Sequence, residues 1–221
     1  MLLAIVPALF SCSDPLGPAA EPFPVLWVEW PAAVSAAQPG GVLVTFVDDF
    51  CSTTSLGVAA DFPNVTVRSE ITRHSNVPCP LADLFPAFPH DSLIPLPSLA
   101  TPYGIPAYYS MQATLSDPFG TPSVHTLGQI QVAAAADTTR YMAGTGTVFV
   151  DSAGCPVVVG GFGFGPNGPA HLYAIQNPPH LDSIARQAMV GAHIVTDSLP
   201  PVACGSHRLV HLDYAIVWLV P

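Results

Sequence analysis

Four of the five cysteines fall two in each half of the chain, a distribution that bears on their chemistry. They are Cys51, Cys79, Cys155 and Cys204. An even number of cysteines in an exported protein indicates disulfides, and four cysteines allow three pairings. Pairing Cys51 with Cys79 and Cys155 with Cys204 would give each half its own cross-link. Cysteine ligands of zinc usually come in pairs a few residues apart, a spacing that is absent, so we expect disulfides rather than a thiolate metal site.

Histidines offer a second way to bind a metal. His207 and His211 are four residues apart, which would place them about 13 Å apart along a strand at a rise of 3.3 Å per residue. The residues around them predict a strand, so one ion could not bridge the pair. His171, His180 and His193 lie in the same half, and a composite site built from them is an alternative. We favour solvent-facing or edge-strand histidines and predict no metal.

Motifs for other kinds of site are missing. The stretch GGFGFGPNG at 160–168 lacks the lysine of a phosphate-binding loop and is followed by a strand, which favours a β-hairpin. The G-x-S-x-G motif of serine hydrolases does not occur. Five aspartates lack the spacing of a calcium loop and are expected in turns and caps. They are Asp48, Asp49, Asp61, Asp83 and Asp91. We therefore predict no catalytic residue and no cofactor.

Aromatic residues are the remaining candidates for binding. Trp27, Trp30, Tyr108 and Tyr109 could stack on a sugar or on a protein partner. Aromatic residues in strands more often belong to the core, so burial is the expectation that we favour for most of the four.

The composition limits the kinds of molecule that the protein can bind. Only 9% of residues are charged, the chain has five basic residues, all of them arginine, and its net charge is −10. Nucleic acid and anionic lipid are bound through clustered cations, so this balance argues against both. The 26 prolines exclude long helices and favour short strands joined by turns.

The N-terminal residues favour export and a lipid anchor. Residues 1–11 are almost entirely apolar and have the length of a signal-peptide core. The segment ends with Leu9, Phe10 and Ser11, directly before Cys12, and this order resembles the bacterial lipobox, with Phe10 where a small residue is commoner. The resemblance implies lipid attachment at Cys12. Residues 12–24, rich in proline and alanine, are predicted to form a tether between the membrane and the folded protein.

Two groups of strands are predicted after the tether. About six short strands over residues 25–136 are typical of an immunoglobulin-like sandwich, with a long irregular connection at 78–106. Residues 135–140 are a plausible boundary. Five more strands over 141–221, with one short helix at 180–189, predict a small, mostly antiparallel barrel of OB-like size.

The second half also resembles a known kind of domain. GTVFVDSAGC ending at Cys155, YAIQNPP from Tyr173, VGAHIV from Val190 and CGS from Cys204 follow the order found in small β-barrel domains of bacterial lipoproteins. The first half is similar, more loosely, to the Ig-like domains of the same lipoproteins. Both resemblances imply an all-β fold and an envelope location, and neither implies an activity.

The sequence thus predicts an exported, membrane-tethered lipoprotein with a binding, adhesion or structural role. Its expected partners are the membrane, through the lipid, and an unknown protein or carbohydrate. Two alternatives stay open: a metal-dependent or sugar-active enzyme built on the C-terminal barrel, and an envelope assembly subunit that pairs strands with a partner.

Overall fold

A computed structural model of the 221-residue chain describes residues 21–48, 52–73, 88–116, 121–160, 171–181 and 183–217. About 67% of it is strand and 2% is helix, which confirms the predicted all-β class. Hydrogen bonds join the 13 described strands into one continuous sheet that folds over itself. The strands are β1 (Glu21–Pro22), β2 (Trp27–Val34), β3 (Gly41–Asp48), β4 (Ser52–Asp61), β5 (Asn64–Arg73), β6 (Phe88–Pro95), β7 (Ala107–Ser116), β8 (Pro122–Val132), β9 (Asp137–Val150), β10 (Pro156–Gly160), β11 (His171–Ile175), β12 (Arg186–Ile194) and β13 (Arg208–Val217).

The last five strands close into a barrel, as predicted for this half. Their order around it is β9, β10, β11, β13, β12 and back to β9, and only the β11–β13 pair is parallel. Consecutive residues of β10 bury on opposite faces: Val158 joins the barrel core, whereas Val157 joins a cluster around Cys155 and Cys204. A closed barrel has no free sheet edges, so this half is protected against strand addition.

The first eight strands form two groups that share one core. Strand β2 pairs with β3, and β3 with β6, while β4, β5, β7 and β8 pair in that order. The core cluster draws Val42 and Val44 from the first group and Val65, Val67 and Met111 from the second. Two groups of strands therefore pack face to face. The β5–β7 and β2–β8 pairs are parallel.

Strand β2 connects the two halves. It pairs antiparallel with β9, from Trp27 opposite Gly144 to Ala33 opposite Asp137. Trp27 is fully buried and belongs to the barrel core rather than to the core of its own half. Gly144 and Gly160 make room for it, because a Cβ on either glycine would lie 2.8 Å from the indole ring. The first half thus contributes a large side chain to the interior of the barrel.

Two sequence predictions of local structure are corrected. The predicted helix at 180–189 is wrong, since β12 begins at Arg186 and pairs with both β9 and β13. The single helical element described is a 3-10 turn at Val202–Cys204. The predicted irregular connection at 78–106 contains β6, whose prolines are tolerated because its one sheet partner is β3.

The expected boundary at 135–140 overlaps the start of a strand. Strand β9 begins at Asp137 and runs without a break to Val150. Residues 137–140 therefore belong to the strand that pairs with both β2 and β12. The division of the chain into two domains stays a prediction.

Candidate functional site

A cleft of about 470 Å³ lies where the two halves meet. Strands β2, β7 and β8 form one wall, and β9, β12 and β13 form the other. Its volume falls within the roughly 300–1,000 Å³ of small-molecule sites. We call it the interlobe cleft and define it by its aromatic and polar side chains. These are Trp30, Tyr108, Gln129, Gln131, Asp137, Tyr141, Asp213 and Tyr214.

The aromatic side chains of the interlobe cleft are held in place by contacts between strands. Trp30 stacks on Tyr141 with ring centroids 6.1 Å apart, and its Nε1 donates to the Gln129 carbonyl at 3.0 Å. The Tyr214 ring covers Gly191, where a Cβ would come within 2.1 Å of it. Tyr108 differs from these, because 53% of its surface is exposed. Neighbouring strands therefore hold most of the aromatic rings of the cleft, and the ring of Tyr108 is the one that is more than half exposed.

Hydrogen bonds also orient the polar groups around this face. The Gln131 Nε2 donates to the Tyr108 hydroxyl at 3.1 Å, so the hydroxyl keeps its own proton for another acceptor. Asp213 Oδ1 accepts from His193 Nδ1 at 2.9 Å. Asp137 Oδ1 accepts from the Thr139 backbone N–H at 2.8 Å, which lowers the pKa of Asp137. Asp137 also accepts a hydrogen bond from the Thr139 side chain, so the Asp213 carboxylate is the better placed of the two to accept from a ligand.

Charge in the interlobe cleft has one sign. Its described lining holds two carboxylates and no arginine, and the chain has no lysine. Burial, with a smaller contribution from Asp213, raises the pKa of Tyr214 to about 12. The phenol is therefore neutral at ordinary pH, and its hydroxyl donates to the Leu127 carbonyl at 3.4 Å. A phosphate or carboxylate would find no cation here, so the cleft disfavours anionic ligands.

A second polar cluster joins β11 of the barrel to strands of the first half. Its members come from β2, β3, β6 and β11. They are Glu29, Thr45, Asp91, His171 and Tyr173. Glu29 is 5% exposed and Thr45 is fully buried, whereas the Asp91 side chain is 42% exposed. We call this group the junction cluster.

Protons in the junction cluster can be assigned from its geometry. Tyr173 donates its hydroxyl proton to Glu29, and Thr45 donates to Asp91 at 2.7 Å. The two nitrogens of His171 therefore face oxygens whose protons are already directed elsewhere: Nε2 lies 2.9 Å from Thr45 Oγ1, and Nδ1 lies 3.3 Å from Tyr173 Oη. His171 Nε2 also lies 3.2 Å from Asp91 Oδ1, so the imidazole links β11 to β3 and β6.

The junction cluster superficially resembles a hydroxyl–imidazole–carboxylate set. A nucleophile must reach its substrate and pass its proton to the imidazole. Thr45 has no exposed surface, and its proton is directed to Asp91 instead. Burial first, then the charge of Glu29, raises the pKa of Tyr173 far above its ordinary value. This arrangement suits a structural clamp between the halves better than nucleophilic catalysis.

One of the two predicted disulfides lies within the described residues. Cys155 and Cys204 form a disulfide with Cα atoms 5.1 Å apart, and both are buried. Cys12, Cys51 and Cys79 lie outside the described residues, so the lipid attachment and the first pairing stay predictions.

The structure brings together only some of the histidines considered for a metal site. His193 and His211 face each other on β12 and β13 with ring centroids 5.2 Å apart, whereas His171 belongs to the junction cluster. Within the described ranges, no three histidine, cysteine, aspartate or glutamate side chains are placed to hold one ion. His180 is exposed.

The structure describes part of the glycine-rich stretch and three of the five aspartates. Residues 161–170 lie outside it, but the flanking strands β10 and β11 pair antiparallel, as a hairpin requires. Asp91 lies in β6 rather than in a loop. Asp48 ends β3 and Asp61 ends β4, while Asp49 and Asp83 are outside the described residues.

Of the aromatic candidates, three are core residues. Trp27, Trp30 and Tyr109 are at most 1% exposed, and Tyr108 alone among the four is accessible. Sequence analysis missed Tyr141, Tyr214 and the two glutamines of the cleft. The one signal available was that Tyr214 lies two residues after buried Leu212 in β13, a spacing that places two residues on the same face of a regular strand and does not specify what lies opposite.

Comparison with known proteins gives no relative. No protein-family model, no curated protein and no solved structure matches this chain. Among the described residues, none of the helical structure has the length and hydrophobicity needed to cross a bilayer.

Proposed function

We propose that this protein is an exported, lipid-anchored binding protein whose ligand occupies the interlobe cleft. The cleft carries the proposal, since an accessible tyrosine, two amides and two carboxylates converge on one concave surface of suitable volume. The lipobox-like sequence at Leu9–Cys12 supports the anchor, and the Pro/Ala-rich tether would hold the cleft clear of the membrane.

The finer domain assignments are part of this proposal. We assign residues 25–136 to an Ig-like sandwich and residues 141–221 to an OB-like barrel. Two groups of strands around one core support the first assignment. The closed five-stranded barrel has the strand number of an OB-fold, which supports the second.

Blocking the cleft tests the binding role. A library of neutral, cationic and anionic small molecules is screened by thermal shift, where a ligand at 100 times its Kd adds about 2.7 kcal/mol of stability. Ala32 lines the cleft and Ala134 is exposed outside it. Ligands that stabilise the wild type and Ala134→Trp should not stabilise Ala32→Trp. If no compound stabilises the wild type, or if Ala32→Trp responds normally, the cleft is not the binding site.

Lipid labelling tests the anchor. In a bacterial host with labelled palmitate, the wild type and the tether variant Pro18→Ala should carry label and sediment with membranes. Cys12→Ala should do neither. An unlabelled wild type, or membrane retention of Cys12→Ala, would remove the anchor from the proposal.

A further inference from the structure

The polar groups of the interlobe cleft include both donors and acceptors, and this mixture restricts the ligand. The Tyr108 hydroxyl and the amide groups of Gln129 and Gln131 can donate. The amide oxygens and the carboxylate of Asp213 can accept. A ligand that uses both kinds of group must itself carry several donors and acceptors, as a polyhydroxylated molecule does.

The charges argue for a neutral ligand of this kind. An anion would meet two carboxylates and no cation among the described lining residues. A cation would meet carboxylates that already accept hydrogen bonds from the protein. Asp213 accepts from His193, and Asp137 accepts from Thr139. A cation would also leave the amide and hydroxyl donors of the cleft unmatched. Neutral hydroxyl groups can use every one of these side chains.

Tyr108 provides the apolar part of the contact. Slightly over half of its surface is exposed, and Gln131 holds its hydroxyl. An aromatic face is electron-rich, so it attracts the weakly positive C–H groups on the flat face of a pyranose ring. An exposed ring beside amides and a carboxylate therefore matches a sugar, which has C–H groups on its faces and hydroxyls around its edge.

We propose that the interlobe cleft binds a neutral saccharide, with Tyr108 stacked on one sugar ring and Gln129, Gln131 and Asp213 hydrogen-bonded to its hydroxyls. This inference rests on the proposed binding function and names its ligand class. Because the contacts are uncharged, affinity should change little with ionic strength, unlike attraction between exposed charges, which salt screens.

Direct binding measurements test the ligand class. The full-length protein is titrated with neutral oligosaccharides of hexoses and N-acetylhexosamines, and with spermidine and inorganic phosphate as charged probes. At least one neutral saccharide should bind, with less than a twofold change between 50 and 500 mM salt. Tyr108→Ala should weaken binding at least tenfold, and Tyr108→Trp should retain it. Tyr103 is 90% exposed outside the cleft, so Tyr103→Ala is the matched control and should bind normally.

The outcomes separate this inference from the proposed function. Salt-sensitive binding of spermidine that Ala32→Trp abolishes, with no saccharide bound, would overturn the saccharide and keep the binding role. Saccharide binding that Tyr108→Ala and Ala32→Trp leave intact would place the sugar elsewhere and overturn the inference. If none of the probes binds, the saccharide proposal fails, and the broader thermal-shift screen then decides on the binding role.

Discussion

Individual residues at the junction cluster show how charge is tolerated between the two halves. His171 comes from the barrel, while Glu29 and Asp91, the carboxylates on either side of it, come from the first half. Its ring stacks with those of Trp27 and Tyr173, at centroid distances of 6.4 and 6.2 Å. Removing one member of a largely buried, hydrogen-bonded set leaves its partners without a hydrogen bond and costs more than a surface change.

His171→Phe is therefore expected to destabilise the protein. The phenyl ring can keep the stacking on Trp27 and Tyr173 but makes none of the hydrogen bonds. We expect a loss of about 2–4 kcal/mol in the free energy of unfolding, measured by urea denaturation. His180→Phe, at an exposed histidine, should change it by less than about 0.5 kcal/mol. Equal effects of the two variants would contradict the clamp.

Alkaline pH should destabilise the protein partly through Tyr214. Its pKa rises from 10.0 in the unfolded chain to about 12 in the folded protein. Between these values the unfolded chain loses the proton and the folded protein keeps it, so stability is present below pH 10 and falls as the pH rises toward 12. At about 1.4 kcal/mol per pH unit, the loss is at most roughly 2–3 kcal/mol.

Paired variants isolate this contribution. Tyr214→Phe should reduce the fall in unfolding free energy between pH 10 and pH 12, as measured by urea denaturation at each pH. Tyr103→Phe, at an exposed tyrosine, should leave it unchanged. A steeper fall in Tyr214→Phe than in the wild type would show that the sign is wrong.

At the scale of strands, the sequence predicts what local patterns encode. In Val65–Ile71 the apolar and polar residues alternate in the sequence, and burial follows the same alternation: Val65, Val67 and Ile71 are buried while Arg68 and Glu70 are exposed. Strand β4 was missed because its residues STTSLGVAAD have no apolar alternation and it pairs with one strand, β5. Strand β6 was missed because its prolines suggested a loop, although an edge strand accepts them.

The interlobe cleft could not be predicted because it depends on pairing between strands that are distant in the sequence. Tyr108 on β7, Tyr141 on β9 and Tyr214 on β13 meet only because β9 pairs with both β2 and β12. Local hydrophobic patterns determine which face of a strand is buried, but not which strand from the other half lies opposite. The composition of the cleft was therefore beyond sequence analysis, although Tyr108 itself was among the candidates.

Glycines mark where strands approach too closely for a side chain. A Cβ on Gly144 would lie 2.2 Å from the Leu26 carbonyl oxygen, which is backbone and cannot rotate away. Gly144→Ala should thus cost at least about 3 kcal/mol in unfolding free energy, or prevent folding. Gly57→Ala is the control, with nothing within 4 Å of the new methyl group. Circular dichroism and urea denaturation measure both, and wild-type stability in Gly144→Ala would contradict the close β2–β9 contact.

The whole molecule is stabilised by a cross-link that closes a long segment. The Cys155–Cys204 disulfide spans 49 residues and ties the β9–β10 turn to the 3-10 turn before β13. Such a cross-link restricts the unfolded chain, with an effect of about 4 kcal/mol for this length and commonly somewhat less in practice. It also packs against Val157 and Leu209.

Replacing this disulfide should reduce stability without changing the fold. Cys155→Ala/Cys204→Ala is expected to lose about 2–4 kcal/mol of unfolding free energy and to retain the circular dichroism spectrum of a β protein. A double variant as stable as the wild type would mean that the link does not restrict the unfolded chain.

Burial of Trp27 in the barrel has a consequence for the order in which the protein can fold. A chain synthesised from its N-terminus completes β2 before any barrel strand exists, since the first of these begins at Asp137. The first half therefore presents an uncovered indole until the C-terminal strands have emerged and closed around it. A nascent chain paused before β9 is expected to be a substrate for holding chaperones, and release from them should coincide with synthesis of the last barrel strand.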